Sequence, residues 1–253
     1  MSLHAVKSSP SLRNTVSAEE WQARVDLAMV YRVLAHFGFN DLTYMHVSLR
    51  LPDQPQRLLL KPRNMMFEEV TASSLEKFDF DGTPLQEGPR NVGGGLVIHA
   101  GILEARPEIN AVFHTHTPAN MGVSAQQHGL LMCNQHAVGF YQRMAYHSFG
   151  GFEFNMDQRA PLLASLGDKT IALLRNHGAL VCGTSLKKAL IDHHYLEMAC
   201  RGQIAALAGG SAVHLIEDSV CEYAAQQYAR LDPDKDWHAC VRLAERLDPG
   251  YKD

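Results

Sequence analysis

The sequence predicts an α/β domain, a mixed sheet with helices on both faces. Three observations predict it. Short apolar, β-branched runs recur at residues 47–51, 109–113, 169–174 and 179–182. Between them lie segments whose apolar residues recur at helical spacing. The two kinds of segment interleave without strict βαβ regularity, and neither an internal repeat nor a linker splits the chain.

Taken in order, residues 1–16 read as a polar, loosely attached arm. Ser17 and Glu20 then form an S-x-x-E capping box. Trp21, Val25, Met29, Val33 and Phe37 follow at every fourth position, one face of a helix that Gly38 ends. Val47, Leu49 and Leu51 alternate with polar neighbours as a half-buried strand does, and Pro52-Asp53 turns the chain. Residues 57–61 are a second apolar run, and Phe78-Asp79-Phe80 leads into a tight Asp81-Gly82 turn. Residues 91–95 are a glycine-rich loop before a helix over 96–105 that Arg106-Pro107 stops. Residues 109–113 predict a buried strand running into His114-Thr115-His116, with a helix over 118–128 closed by Gly129. Asp157 is placed to cap a helix ending at Gly167. Residues 169–174 predict another buried strand, ending at Arg175-Asn176-His177-Gly178, and 179–182 continue the sheet. Thr184 or Ser185 caps a long helix reaching Gly209-Gly210. Trp237, Val241 and Leu243 suggest a C-terminal helix. The expected organisation is one domain over 17–253, with a helical extension from about residue 211.

The 253 residues, 46% of them hydrophobic, can bury a large core. With 23 basic and 27 acidic side chains the net charge is −4, and no basic run offers a nucleic-acid footprint. No apolar run approaches the roughly 20 residues that span a bilayer, and the polar first 15 residues lack a signal-peptide core. Five scattered cysteines without a CxxC suit reduced thiols, and the expected location is cytoplasmic.

Fourteen histidines put histidine chemistry first. Successive strand side chains alternate between faces, so His114 and His116 point the same way, a suitable spacing for two imidazoles on one metal ion. A third ligand must come from another element. His177 is the best candidate, at the end of a separate buried strand beside a glycine that permits close backbone approach. Three neutral nitrogens leave a coordination position open, the usual layout of a catalytic zinc site. An isolated HxH is more often a pair of satisfied surface or core histidines, and on residues alone the two readings balance. His99 reads as a packing or hydrogen-bonding residue. His193 and His194, adjacent on a helix, point about 100° apart and do not share a metal.

Three stretches carry a resemblance. They are Tyr44-Met-His-Val-Ser, Ala105-Arg-Pro-Glu-Ile-Asn-Ala-Val-Phe-His-Thr-His-Thr-Pro and Leu174-Arg-Asn-His-Gly-Ala-Leu-Val-Cys-Gly. In order and spacing, from about residue 19 to 210, the chain resembles the class II aldolase/adducin family. The resemblance implies a three-layer αβα sandwich with a mixed, largely antiparallel central sheet. It also implies a homotetramer with active sites between subunits, and His114, His116 and His177 as ligands of one divalent metal ion. Zinc is expected first, with iron or manganese as alternatives. The aldolases of the family place Ser-Ser-Glu about twenty residues before HxH; here Gly93, Gly94 and Gly95 fall there. Glycine supplies neither a phosphate-binding hydroxyl nor a carboxylate, so Gly95 is expected to leave room beside the metal. The family's early Asn is replaced by His46. These departures resemble the adducin-type branch, although its vertebrate members lose the metal histidines that this chain keeps.

The function expected is therefore a metal-dependent aldolase-like lyase, decarboxylase or epimerase, working through an enolate on a small, non-phosphorylated hydroxy or keto acid. Gly93, Gly94, Gly95 and His46 are the candidate substrate contacts, and His136 is the candidate acid/base. The partners expected are that substrate and further copies of the chain, with neither nucleic acid nor membrane. Two alternatives stay open: an adducin-type scaffold with a vestigial metal site, and a non-haem iron oxygenase on the same three histidines.

Overall fold

The computed structural model describes residues 11–85, 94–151 and 156–253. Among them seven strands form one sheet: β1 (His46–Arg50), β2 (Arg57–Leu60), β3 (Glu76–Asp79), β4 (Ala111–Thr115), β5 (Met144–His147), β6 (Ile171–Leu174) and β7 (Gly178–Gly183). Their order is β3-β2-β1-β4-β7-β6-β5. Every pairing is antiparallel except β5 with β6. Seven helices accompany it: α1 (Ala18–His36), α2 (Gly94–Ala105), α3 (Pro118–Ala125), α4 (Arg159–Leu166), α5 (Leu186–Leu207), α6 (Asp218–Ala229) and α7 (Asp234–Leu247).

Both faces of the sheet are covered, so its strands are apolar on both sides. Phe113, Leu173 and Val181 point into a core with α1, α3, α5 and α7. Val112, Ala172, Leu180 and Cys182, one position away, point into a second core with α2 and α4. This is the expected three-layer sandwich. Its registers set His46 opposite His114, and His114 opposite Leu180.

Local signals explain the helix starts. Ser17 accepts a hydrogen bond from the Glu20 amide, and Ser185 from the Lys188 amide, each one cap. The second half of the expected capping box gives way to a stronger demand. The Glu20 carboxylate turns inward and accepts from Arg24 at 2.9 Å, Lys77 at 2.8 Å and Gln54 at 3.0 Å. Arg24 is fully buried and also donates to the Leu75 carbonyl at 2.7 Å. Asp157 is not the cap of α4; a 3-10 turn, Met156–Gln158, leads in and Gln158 takes that position. The expected stripe on α1 is incomplete, because Ala23, Leu27, Val30 and Leu34 are buried as well. The helix is enclosed by the sheet on one side and by α7 and the C-terminus on the other.

The polar C-terminal segment returns to the domain. The Tyr251 and Asp253 carbonyls accept from the amides of Ala72 and Ser73, and Tyr251 is buried. Residues 1–10 of the expected arm lie outside the described residues, whereas the Leu12 amide donates to Ser73 Oγ. Among the described residues no helix is long and apolar enough to cross a membrane.

Glu20→Gln would leave the buried Arg24 guanidinium without its counter-charge, an expected cost of about 3–5 kcal/mol. Urea unfolding should show a clearly lower midpoint; a midpoint matching the parent would mean the network contributes little.

Candidate metal centre

The histidines singled out in the sequence meet at one end of the sheet. His114 lies on β4, buried, on the face that α2 covers. His116 follows one residue after that strand ends. His177 closes the loop between β6 and β7, where its amide donates to the Leu174 carbonyl and Asn176 takes the left-handed conformation (φ 60°). The ring centroids stand 4.8 Å apart for His114 and His177, 5.7 Å for His114 and His116, and 5.9 Å for His116 and His177. The glycine after His177 makes this possible. A Cβ on Gly178 would come within 2.3 Å of the Thr115 carbonyl oxygen. The loop is held from outside by Arg175, which donates to the Gln126 carbonyl and stacks over Tyr146.

Two of the rings have their Nδ1 atoms engaged. His114 Nδ1 faces the Ala179 carbonyl at 3.1 Å, and His116 Nδ1 faces the Asp41 carboxylate at 3.0 Å. Each partner favours a proton on Nδ1 and a lone pair on Nε2, the support that metal-binding imidazoles commonly have. Burial pushes all three rings toward the neutral form. His114 is held well below the usual histidine range, by burial and then by the neighbouring His46. His177 is pushed down to about 4 by burial and His116. At His116 burial outweighs the opposing pull of Asp41. Neutral imidazole is the form that binds a metal. Among the described residues, no group of three His, Cys, Asp or Glu side chains stands as a ready-made metal shell. The donor set suits an ion, and the rings adjoin one another; holding one requires their Nε2 atoms to turn inward together.

Thr115, between the paired histidines, points to the opposite face and is fixed there. His193 Nε2 lies 2.7 Å from its hydroxyl oxygen, and Asn120 donates to the same oxygen at 3.1 Å. Thr117 donates to the buried Glu197 carboxylate at 2.5 Å and caps α3.

The other sequence candidates separate. His46 joins the cluster, its ring 5.1 Å from that of His114. Gly93 lies outside the described residues; Gly94 and Gly95 begin α2. The room expected at Gly95 is taken. A Cβ there would stand 2.5 Å from both Cδ2 and Nε2 of His46. His136 stacks on Tyr195 of α5 at 5.1 Å, on the other side of the sheet. Apart from these candidates, Arg143 pairs with the buried Asp192 at 2.8 Å, and Tyr146 Oη accepts from the Leu130 amide. Sequence reasoning missed Asp41, Ser48 and Lys61. Ser48 is two residues beyond His46 on a strand, a spacing that places both on one face. Nothing local marked Asp41. Lys61 is buried with its ammonium among the Thr43 and Met65 carbonyls, and burial pushes it down to about 8.

Fold and family relationship together define a class. The family model described as "Class II Aldolase and Adducin N-terminal domain" matches residues 25–204. The chain belongs to the class II aldolase/adducin family. A Caulobacter vibrioides protein described as a candidate class 2 aldolase is 36% identical over 248 residues, covering 96% of each chain. The solved structure of an aldolase II superfamily protein from Pseudomonas syringae superposes with a TM-score of 0.91 at 38% identity, over 96% of this chain and 100% of that one. Rat alpha-adducin is 34% identical over 189 residues, 73% of this chain but only 26% of the adducin.

His193, fully buried beneath this site, is pushed down to about 3 by burial and then by His194. In the unfolded chain it takes a proton near pH 6.5. Its contribution to stability is therefore complete above about pH 6.5 and is lost as pH falls toward 3, by up to about 1.4 kcal/mol per pH unit. His193→Gln should flatten the fall in urea midpoint between pH 6.5 and 4.5. An unchanged slope would show that His193 is not held neutral.

Proposed function

We propose that the chain is a metal-dependent enzyme of aldolase type, a lyase, decarboxylase or epimerase for a small, non-phosphorylated hydroxy or keto acid. The observation that carries this reading is the meeting of His114, His116 and His177 with the Nδ1 atoms of two of them occupied. These three residues would hold one divalent ion, zinc first, with iron or manganese as alternatives. Bound there, the ion supplies an electrophile for the negative charge that develops on oxygen in enolate chemistry. The protein's own part is to keep the imidazoles neutral and oriented, and to hold them on strand ends and short loops.

The absent hydroxyls and carboxylate at Gly93, Gly94 and Gly95 argue against a sugar phosphate. His136 serves this reading as acid/base only if another subunit brings it to the site, since its own chain places it against Tyr195. A second reading, a scaffold of adducin type with a vestigial site, is favoured by Gly95 and by the adducin relatives; the intact histidine set favours the enzyme.

Purified without chelators, or reloaded with zinc, the protein should carry about one transition-metal ion per chain by elemental analysis. The double variant His114→Ala, His116→Ala should carry almost none. Hydroxy and keto acids should be turned over by the loaded protein, and fuculose phosphate should not. A protein that takes up no zinc would sink the reading. One that binds zinc but turns over no acid would favour the scaffold.

Exposed apolar side chains rim the site: Leu42 at 65% and Tyr44 at 64% exposure adjoin in sequence the Asp41 that pairs with His116, and Phe149, at 48%, has its ring 6.0 Å from that of His177. We read this rim as a contact between copies of the chain, in a homotetramer. Light scattering at micromolar concentration should report about four times the 28.1 kDa chain mass; a monomer would rule out shared sites.

A further inference from the structure

The ring of His46 occupies the place where Gly95 leaves no side chain, and its surroundings prepare it as a donor. His46 begins β1 directly opposite His114, on the same face of the sheet. Its Nδ1 lies 2.7 Å from His99 Nε2, and His99 Nδ1 lies 2.6 Å from Ser48 Oγ. His99 and Ser48 are fully buried, and His99 stands on the inward face of α2. When His46 Nδ1–H donates to His99, His99 Nδ1–H donates in turn to Ser48, and His46 Nε2 is left with its lone pair. That is the tautomer which Ala179 and Asp41 favour at His114 and His116. The Nε2 end of the ring is the end lying against Gly95.

We propose that His46 is the fourth protein donor of the centre, standing where the family's aldolases place a carboxylate and set in its donor tautomer by His99 and Ser48. The inference rests on the three-histidine metal reading above and goes one ligand beyond it. Gly95 is then required rather than merely permitted, because any side chain at 95 strikes the His46 ring. Four neutral imidazoles also leave both charges of a divalent ion uncompensated, unlike three imidazoles and a carboxylate.

The test reads metal binding rather than turnover. X-ray absorption of the zinc-loaded protein should count four imidazoles, and His46→Ala should lower the count to three. Competition with a chromophoric chelator should show zinc binding weakened at least 10-fold in His46→Ala. Ser48→Ala, which leaves every donor in place, should weaken it by roughly 10-fold, the low end of the usual effect of an outer partner. Gly95→Glu alone should lower the melting temperature through its collision with His46. Gly95→Glu combined with His46→Asn should relieve that and recover zinc affinity, with the X-ray count at three imidazoles and one additional oxygen. If the unaltered protein shows three imidazoles, and His46→Ala and Ser48→Ala bind zinc as it does, His46 is not a ligand and the three-histidine reading stands. If the unaltered protein binds no zinc at all, both readings fail. Should His46→Ala fail to fold, the X-ray count of the unaltered protein and the affinity of Ser48→Ala still decide.

Discussion

At the end of the sheet, Gly178 lies so near β4 that a Cβ would come within 2.3 Å of the Thr115 carbonyl oxygen. That approach joins two segments more than sixty residues apart in sequence. The β4–β7 ladder fixes the register, with His114 opposite Leu180 and Thr115 opposite Ala179. A slip of one residue would send His114 to the α5 face and Thr115 into the site. Such a slip is costly because both faces are packed. Phe113 and Val112 each have their own apolar core to lose. The centre therefore inherits its precision from hydrophobic burial on the two sides of one strand.

The polar interior beneath the centre follows from the same placement. Thr115 must face α5 if its neighbours face α2, and a buried hydroxyl needs partners. His193 and Asn120 provide them. Thr117 and Glu197 repeat the arrangement one turn later. These groups hold the backbone that carries the ligand candidates without touching the site. Arg175 does the same for the other side, anchoring the loop of His177 by its carbonyl partner at Gln126.

Much of this was legible in the sequence, and the physics says which part. The strands around 114 and 177 were visible because a run buried on both faces is continuously apolar, and the alternation of side chains put His114 and His116 together. The caps Ser17 and Ser185 were visible because they act within three residues. What depended on distant partners was not. Glu20 looks like half of a capping box, and only the fold brings Lys77 and Gln54 to it. The β5 edge strand, four residues with no clear alternation, gave no periodic signal. Gly95 carries no carboxylate, and it leaves no space in its place either. The residue that fills the space is 49 positions earlier, and no local pattern pairs β1 with β4. His136 follows the HxH helix in sequence, but the 3-10 turn it opens packs against α5 instead.

The charge around the centre then bears on what it can hold. His46, His99, His114, His116 and His177 are all pushed toward the neutral form, chiefly by burial. Lys61 adds a nearby positive charge, and it contributes to depressing His46. The acidic partner at hand is Asp41, at the rim with its side chain 49% exposed and engaged with His116. A divalent ion held among these groups would meet neutral imidazole donors, with the Asp41 carboxylate at the rim. The Coulomb energy of an uncompensated charge grows as water is excluded, so such a site favours a guest that brings negative charge with it. A carboxylate does so without the row of hydroxyls that a phosphate needs. On the proposed reading, the glycine at 95, the histidine at 46 and an acid substrate would all follow from one electrostatic arrangement.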